Sequence, residues 1–110
     1  MKRLLSIVLF CVLVPCAYGE TLDYEYGTYV GDVVDGRPNG YGTFSYTKGE
    51  NKGDRYSGEF LNGVYHGHGT YYKESGKFKG AKYIGEFKDG KYDGQGIYFS
   101  KDGANLVGLF

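Results

Sequence analysis

The chain has no tryptophan, two cysteines, two prolines, one methionine and two histidines, and its 13 basic residues equal its 13 acidic ones. Each scarcity narrows the possibilities. The cysteines, Cys11 and Cys16, both lie in the first 19 residues, so a chain that loses this segment has no disulfide to staple it and depends on packing. Charge balance removes the broad basic surface that a nucleic-acid partner needs. The histidines, His66 and His68, would share one face of an extended strand, but without thiolate or carboxylate spacing they make no metal set. No serine stands in a fixed relation to either histidine, so a nucleophile–base pair is missing. Gly-x-Gly pairs occur without the strand-to-helix context or the following lysine of a phosphate loop. Asn-x-Ser/Thr is absent, so N-glycosylation is not expected. These residues predict no enzyme, cofactor or small-molecule substrate.

What is abundant is glycine, 20 residues, with 13 tyrosines and 7 phenylalanines, and these are periodic. Tyr29 to Tyr46 reads YVGDVVDGRPNGYGTFSY, Tyr56 to Lys73 reads YSGEFLNGVYHGHGTYYK, and Tyr83 to Ser100 reads YIGEFKDGKYDGQGIYFS. Tyr29, Tyr56 and Tyr83 are 27 residues apart, a period that marks an array of supersecondary units. Each unit opens with alternation, Tyr56, Gly58 and Phe60 to one side and Ser57, Glu59 and Leu61 to the other, as in a half-buried strand. Asp35-Gly36, Asn62-Gly63 and Asp89-Gly90 follow, dipeptides that favour hairpin turns. A second pair recurs at Asn39-Gly40, His66-Gly67 and Asp93-Gly94; with Pro38 between the pairs, the loop is expected to run from one to the other, with Asn39, His66 and Asp93 at positive φ. The return strand carries Gly40, Gly42 and Phe44; Gly67, Gly69 and Tyr71; Gly94, Gly96 and Tyr98. Glycines on one face imply close approach by another group, here an aromatic ring lying over them. Asp32, Glu59 and Glu86 recur at one slot, about 9–10 Å apart, and read as a solvated face.

With Tyr-x-Gly-x-Phe, Asn-Gly and His-Gly-x-Gly-x-Tyr in this order, the unit resembles the MORN (membrane occupation and recognition nexus) repeat. The family's usual period of about 23 is lengthened here by the connectors Thr47 to Arg55 and Glu74 to Lys82, and its frequent tryptophan is replaced by Val33, Phe60 and Phe87. The resemblance implies an all-β, elongated single antiparallel sheet of stacked hairpins. Its repeat-defining residues are Tyr29, Gly31, Gly40, Gly42, Tyr56, Gly58, Gly67, Gly69, Tyr83, Gly85, Gly94 and Gly96.

The flanks differ from the units. Residues 1–19 carry Lys2-Arg3, an apolar run from Leu4 to Val14 and Ala17-Tyr18-Gly19, the pattern of a signal peptide cleaved before Glu20. The run is shorter than the roughly 20 residues of a membrane span. Lipidation at Cys16 is the lesser alternative, because Pro15 stands where a lipoprotein signal wants a small residue. The mature domain is then 20–110. Within it, Tyr24 and Tyr26 alternate in a strand capping the first hairpin, the connectors read as solvated loops or hairpin extensions, and residues 100–103 read as a turn. Leu106 to Phe110, LVGLF, repeats the first strand as a half unit.

Three functional readings follow. The first is a non-catalytic exported interaction or scaffold module that pairs with a protein partner or a second copy through an apolar edge at Leu106, Val107, Leu109 and Phe110. The second, supplied by the resemblance, is binding to anionic lipid, for which Lys73, Lys77, Lys79 and Lys82 form the local basic patch. The third is stacking of glycan rings on tyrosines, which the lack of tryptophan disfavours. Periplasmic, extracellular and surface destinations all fit the leader.

Overall fold

The computed structural model describes residues 19–110. The leader, with Cys11, Cys16 and the predicted signal peptide, lies outside the described residues apart from Gly19. Eight antiparallel strands form one sheet in sequence order: β1 (Glu20–Tyr24), β2 (Gly27–Val34), β3 (Arg37–Tyr46), β4 (Arg55–Leu61), β5 (Val64–Tyr72), β6 (Lys82–Lys88), β7 (Lys91–Phe99) and β8 (Asn105–Leu109). Strands contact chiefly their neighbours in sequence, and the molecule is elongated at 59 × 29 × 21 Å. The all-β hairpin array is as expected. So is the half unit at β8; the capping strand forms as β1, but it ends at Tyr24, and Tyr26 lies in the turn to β2 rather than in the strand.

Each hairpin turns in two residues. Asp35, Asn62 and Asp89 take φ of 53°, 48° and 52°, and the glycine after each is also positive, the type I′ geometry that matches the twist of the flanking strands. The loop reading of the second pair is corrected here: Val34 already pairs with Arg37 and Val33 with Pro38, so Pro38 lies in β3. A proline is tolerated there because the β3–β4 ladder begins at Gly40 opposite Phe60, two residues farther on. Its carbonyl still serves the next unit, accepting from Gly63 N–H at 2.9 Å, as Tyr65 O accepts from Gly90 N–H at 3.0 Å. Asn39, His66 and Asp93 do not have positive φ; Gly40, Gly67 and Gly94 do, at 107°, 77° and 73°.

Those glycines mark β-bulges. The register slips between Gly31 and Val33, Gly58 and Phe60, and Gly85 and Phe87, and the residue in each slip is acidic. The Asp32 carboxylate accepts the Tyr41 N–H at 3.0 Å, Glu59 that of His68 at 3.0 Å, and Glu86 that of Gln95 at 3.1 Å. A Cβ on Gly40, Gly67 or Gly94 would run into these carboxylates. The acidic row is therefore not a merely solvated face. It ties down backbone donors that the bulge takes out of the ladder.

The core is aromatic on glycine. Tyr29, Tyr56 and Tyr83 are fully buried, their rings lying over Gly42, Gly69 and Gly96 of the return strands. Each hydroxyl donates to the carbonyl three residues on, Asp32, Glu59 or Glu86, at 2.7, 2.7 and 2.9 Å. Phe60 stands edge-on between Tyr29 and Tyr56, with centroids at 4.8 and 5.1 Å, and Phe87 between Tyr56 and Tyr83, at 4.9 and 5.1 Å. Phe110 meets Tyr83 in the same way at 5.2 Å, so the half unit joins the spine. Tyr65 stacks on Tyr56 and Tyr92 on Tyr83, both at 3.9 Å; Pro38 holds that slot in the first unit. Each such ring pair adds about 0.5–1.5 kcal/mol beyond area burial.

The same packing predicts an alkaline limit. Burial, then the charges of Asp32 and Tyr24, pushes the Tyr29 hydroxyl up to about 12, and burial first pushes Tyr92 up to about 12. Tyr56, Tyr65, Tyr71 and Tyr83 shift in the same direction, again chiefly through burial. A folded value above the ordinary 10 means that the native chain holds its phenolic protons more tightly than the unfolded chain. This stability is fully present below pH 10 and is lost as pH rises from 10 through 12. Denaturation midpoints from pH 8 to 12 should fall steeply above 10; a level profile refutes the burial of these hydroxyls.

Candidate interaction site

The two outer edges of the sheet are unlike. β1 carries Glu20 and Asp23, charges of the kind that discourage strand addition. β8, Asn-Leu-Val-Gly-Leu, carries none, and Leu106, Val107 and Leu109 are 60%, 70% and 78% exposed. Phe110 N–H donates to Gly94 O at 2.8 Å, which sets the phase of the β7–β8 ladder. By alternation the N–H and C=O of Val107 and Leu109 point away from β7, along the outer edge. Among the described residues no strand pairs with them. The four edge residues named from the sequence thus divide, with Phe110 packed on the spine and the other three presented outward.

Beside β8, on the face opposite the tyrosine spine, Ile84, Ile97 and Val107 stand in register across three strands. With Leu109 they line an open groove of about 570 Å³. His68 lies at its margin, 3.6 Å from the Glu59 carboxylate and 3.8 Å from that of Glu86, and is largely solvent-exposed. The Nδ1 of His66 is buried without a hydrogen-bond partner. Among the described residues no group of three or more His, Cys, Asp or Glu is placed to hold a metal.

The spine face carries a second groove, about 720 Å³, lined by Tyr24, Tyr26, Pro38, Tyr46, Asn62 and Tyr65 among others. At its floor the Tyr46 and Tyr65 hydroxyls are 2.6 Å apart. It continues beside the connectors, where Phe78 and Ala81 form a wall.

Both connectors extend their hairpins. Tyr46 N–H donates to Asp54 O and Gly53 N–H to Tyr46 O; Lys73 N–H donates to Ala81 O and Gly80 N–H to Lys73 O. They are also joined to each other, which the solvated-loop alternative missed. Asp54, 1% exposed, accepts from the Tyr71 hydroxyl at 2.6 Å, Glu74 N–H at 2.7 Å, Ser75 Oγ at 2.9 Å and Lys73 Nζ at 3.1 Å. Burial alone would push this carboxyl up, but the four hydrogen bonds together hold it below the ordinary range. The signal for it lay in the alignment of units, where a carboxylate occupies the slot held by Gly27 and Ala81.

This anchor changes the basic patch. Lys73 is committed to Asp54 and to Asn51 Oδ1, Lys77 Nζ lies over the Phe78 ring at 5.4 Å, and Lys82 Nζ over Phe99 at 5.0 Å. Lys73 is thus not the free headgroup cation that the patch required.

An open antiparallel array of hairpins with one uncharged edge and two aromatic or apolar grooves is the architecture of a repeat-type interaction module. The family model for the MORN repeat matches residues 29–50, 56–78 and 83–104, more than half of the chain, and the chain belongs to this family. Repeats of this family are generally protein- or membrane-interaction modules. No curated protein matches the chain.

Proposed function

We propose that the protein is a non-catalytic, exported interaction module that self-associates by pairing its β8 edge with that of a second copy. The observation that carries this reading is the contrast between the edges. β8 presents outward N–H and C=O groups flanked by Leu106, Val107 and Leu109, whereas β1 is guarded by Glu20 and Asp23. An edge of this kind invites strand addition. Pairing β8 with β8 closes on itself as a two-fold dimer; pairing β8 with β1 would propagate into a filament and set the carboxylates of β1 against an apolar strand. Export rests on the leader pattern at residues 1–19. Among the described residues no helix is long and apolar enough to cross a membrane. The absence of catalysis rests on the missing nucleophile–base pair.

Light scattering during size-exclusion chromatography, over a wide concentration range, tests self-association. The full chain should run at twice its formula mass. Leu109→Lys, at a position 78% exposed, should give folded monomers. A wild-type chain that stays monomeric at every concentration overturns the reading.

A further inference from the structure

The glycines paired across the sheet have a geometry that β8 repeats. Gly31 pairs with Gly42, Gly58 with Gly69 and Gly85 with Gly96. In each first-strand glycine an added Cβ would collide with the Cα of its partner glycine and with the carbonyl oxygen before it, from Tyr41, His68 or Gln95. At these three places the next strand comes so close that the first-strand glycine cannot bear a side chain, while a Cβ on its partner, Gly42, Gly69 or Gly96, would meet the ring of Tyr29, Tyr56 or Tyr83. Gly108 is the fourth of the series. It pairs inward with Gly96, and a Cβ added to it meets nothing within 4 Å.

A strand that continued the array beyond β8 would place a glycine against Gly108. Among the described residues of a second copy only two edges, β1 and β8, are free to supply it. β1, Glu-Thr-Leu-Asp-Tyr, contains no glycine, and β8 contains one. We infer that, in the self-association proposed above, the two-fold axis passes through the Gly108–Gly108 contact and fixes the register of the paired edges. This inference rests on that reading.

The register accounts for the other residues of the edge. With Gly108 opposite its own copy, Val107 faces Leu109 of the second copy and Leu109 faces its Val107. These are the residues whose N–H and C=O groups point outward, so each pair exchanges both backbone bonds. Gly108 then sits in the non-hydrogen-bonded position, where the two strands' Cα atoms and side chains approach most closely, as Gly58 and Gly85 do against β5 and β7. Leu106 faces Phe110 of the second copy on the spine face, which joins the two aromatic spines. On the other face Leu109 of the second copy extends the row Ile84, Ile97 and Val107. A register one residue away, centred on Val107, would set Leu106 against Gly108 and Asn105 against Leu109, replacing apolar pairs with mismatched ones.

Cysteine pairing and a single methyl group test the register. The chain is expressed with its leader, so that processing can occur, and with Cys11→Ser and Cys16→Ser, which leaves no other thiol. Directly opposed residues lie within the 4.4–6.8 Å Cα separation that a disulfide needs, while positions offset by two residues are about 7–8 Å apart. On mild oxidation, Val107→Cys mixed with Leu109→Cys should give disulfide-linked dimers, and either variant alone should not. Gly108→Ala should leave the monomer's thermal midpoint unchanged and weaken self-association about tenfold or more, because its methyl group falls on the backbone of the second copy. Linkage of Val107→Cys to itself would overturn the register while leaving self-association standing. Gly108→Ala dimerising as wild type does would overturn the glycine contact, again without touching self-association. A wild-type chain that is monomeric by light scattering overturns both.

Discussion

Gly69→Ala should cost this protein about 3 kcal/mol or more, the upper end of what an extra methyl group costs in a packed core. The backbone of Gly69 is ordinary extended strand, so the expected loss is steric. Its Cβ would fall on the Tyr56 ring, 2.6 Å from both Cε1 and Cζ, and against the hydroxyl. Tyr56 cannot swing aside. It is fully buried, its hydroxyl donates to Glu59 O at 2.7 Å, Tyr65 is stacked on it at 3.9 Å, and Phe60 and Phe87 stand edge-on at 5.1 and 4.9 Å. Because strands contact chiefly their sequence neighbours, the central hairpin is also the link between the first and third units, and damage there uncouples the array. Urea denaturation followed by circular dichroism measures this. Gly108→Ala, measured at concentrations where the chain is monomeric, is the control, since its methyl group meets nothing within 4 Å. If Gly69→Ala unfolds within about 0.5 kcal/mol of wild type, the size of an ordinary surface substitution, the aromatic-on-glycine account of the core is wrong.

The same contrast separates what is legible in the sequence from what is not. Period, strand alternation and Asp-Gly or Asn-Gly turns are local signals, each confined to a few adjacent residues, and they were sufficient for the hairpins and for the half unit at β8. The glycine–ring contact was legible because three units repeat it. The bulge was not, because its determinants lie on two strands: Asp32, Glu59 or Glu86 on one, and the amide beyond Gly40, Gly67 or Gly94 on the other. Read along a single strand, the positive-φ glycine looks like part of a turn and the acid like a solvated charge. Pro38 misled for a related reason. Proline argues against a strand only where its missing N–H would have entered a ladder, and β4 does not reach that far.

At the candidate site, the exposed edge strand that carries Leu106, Val107 and Leu109 was legible from composition, since an uncharged apolar strand at one end of a sheet is conspicuous. In the lysine patch, the place of Lys73 was not legible. Proximity in sequence groups Lys73, Lys77, Lys79 and Lys82, but the connector folds so that Lys73 faces inward toward a carboxylate 19 residues earlier. Charge counting along a loop cannot see a buried counter-ion.

That counter-ion should be the most sensitive polar residue in the protein. Asp54→Ala removes the carboxylate that the Tyr71 hydroxyl, the Glu74 amide, Ser75 Oγ and Lys73 Nζ share, leaving Lys73 only Asn51 Oδ1, and should cost about 3–5 kcal/mol, as breaking one side of a buried ion pair does. Asp54→Asn keeps the size but turns an N–H₂ toward donors, so it should fall between Asp54→Ala and wild type. The sign of the pH dependence separates this account from simple loss of packing. Because the folded carboxyl lies below its ordinary value, its stabilisation is fully present above about pH 4 and is lost as pH falls below that. Wild type should therefore lose stability on acidification, and Asp54→Asn should lack this part of the acid limb. The damage should also be local at first. Phe78 and Ala81, on the connector that Asp54 holds through Glu74 and Ser75, wall the groove on the spine face, so amide exchange in residues 74–81 should rise before that in β4 and β5. Equal acid limbs in wild type and Asp54→Asn would show that the carboxylate is not the anchor.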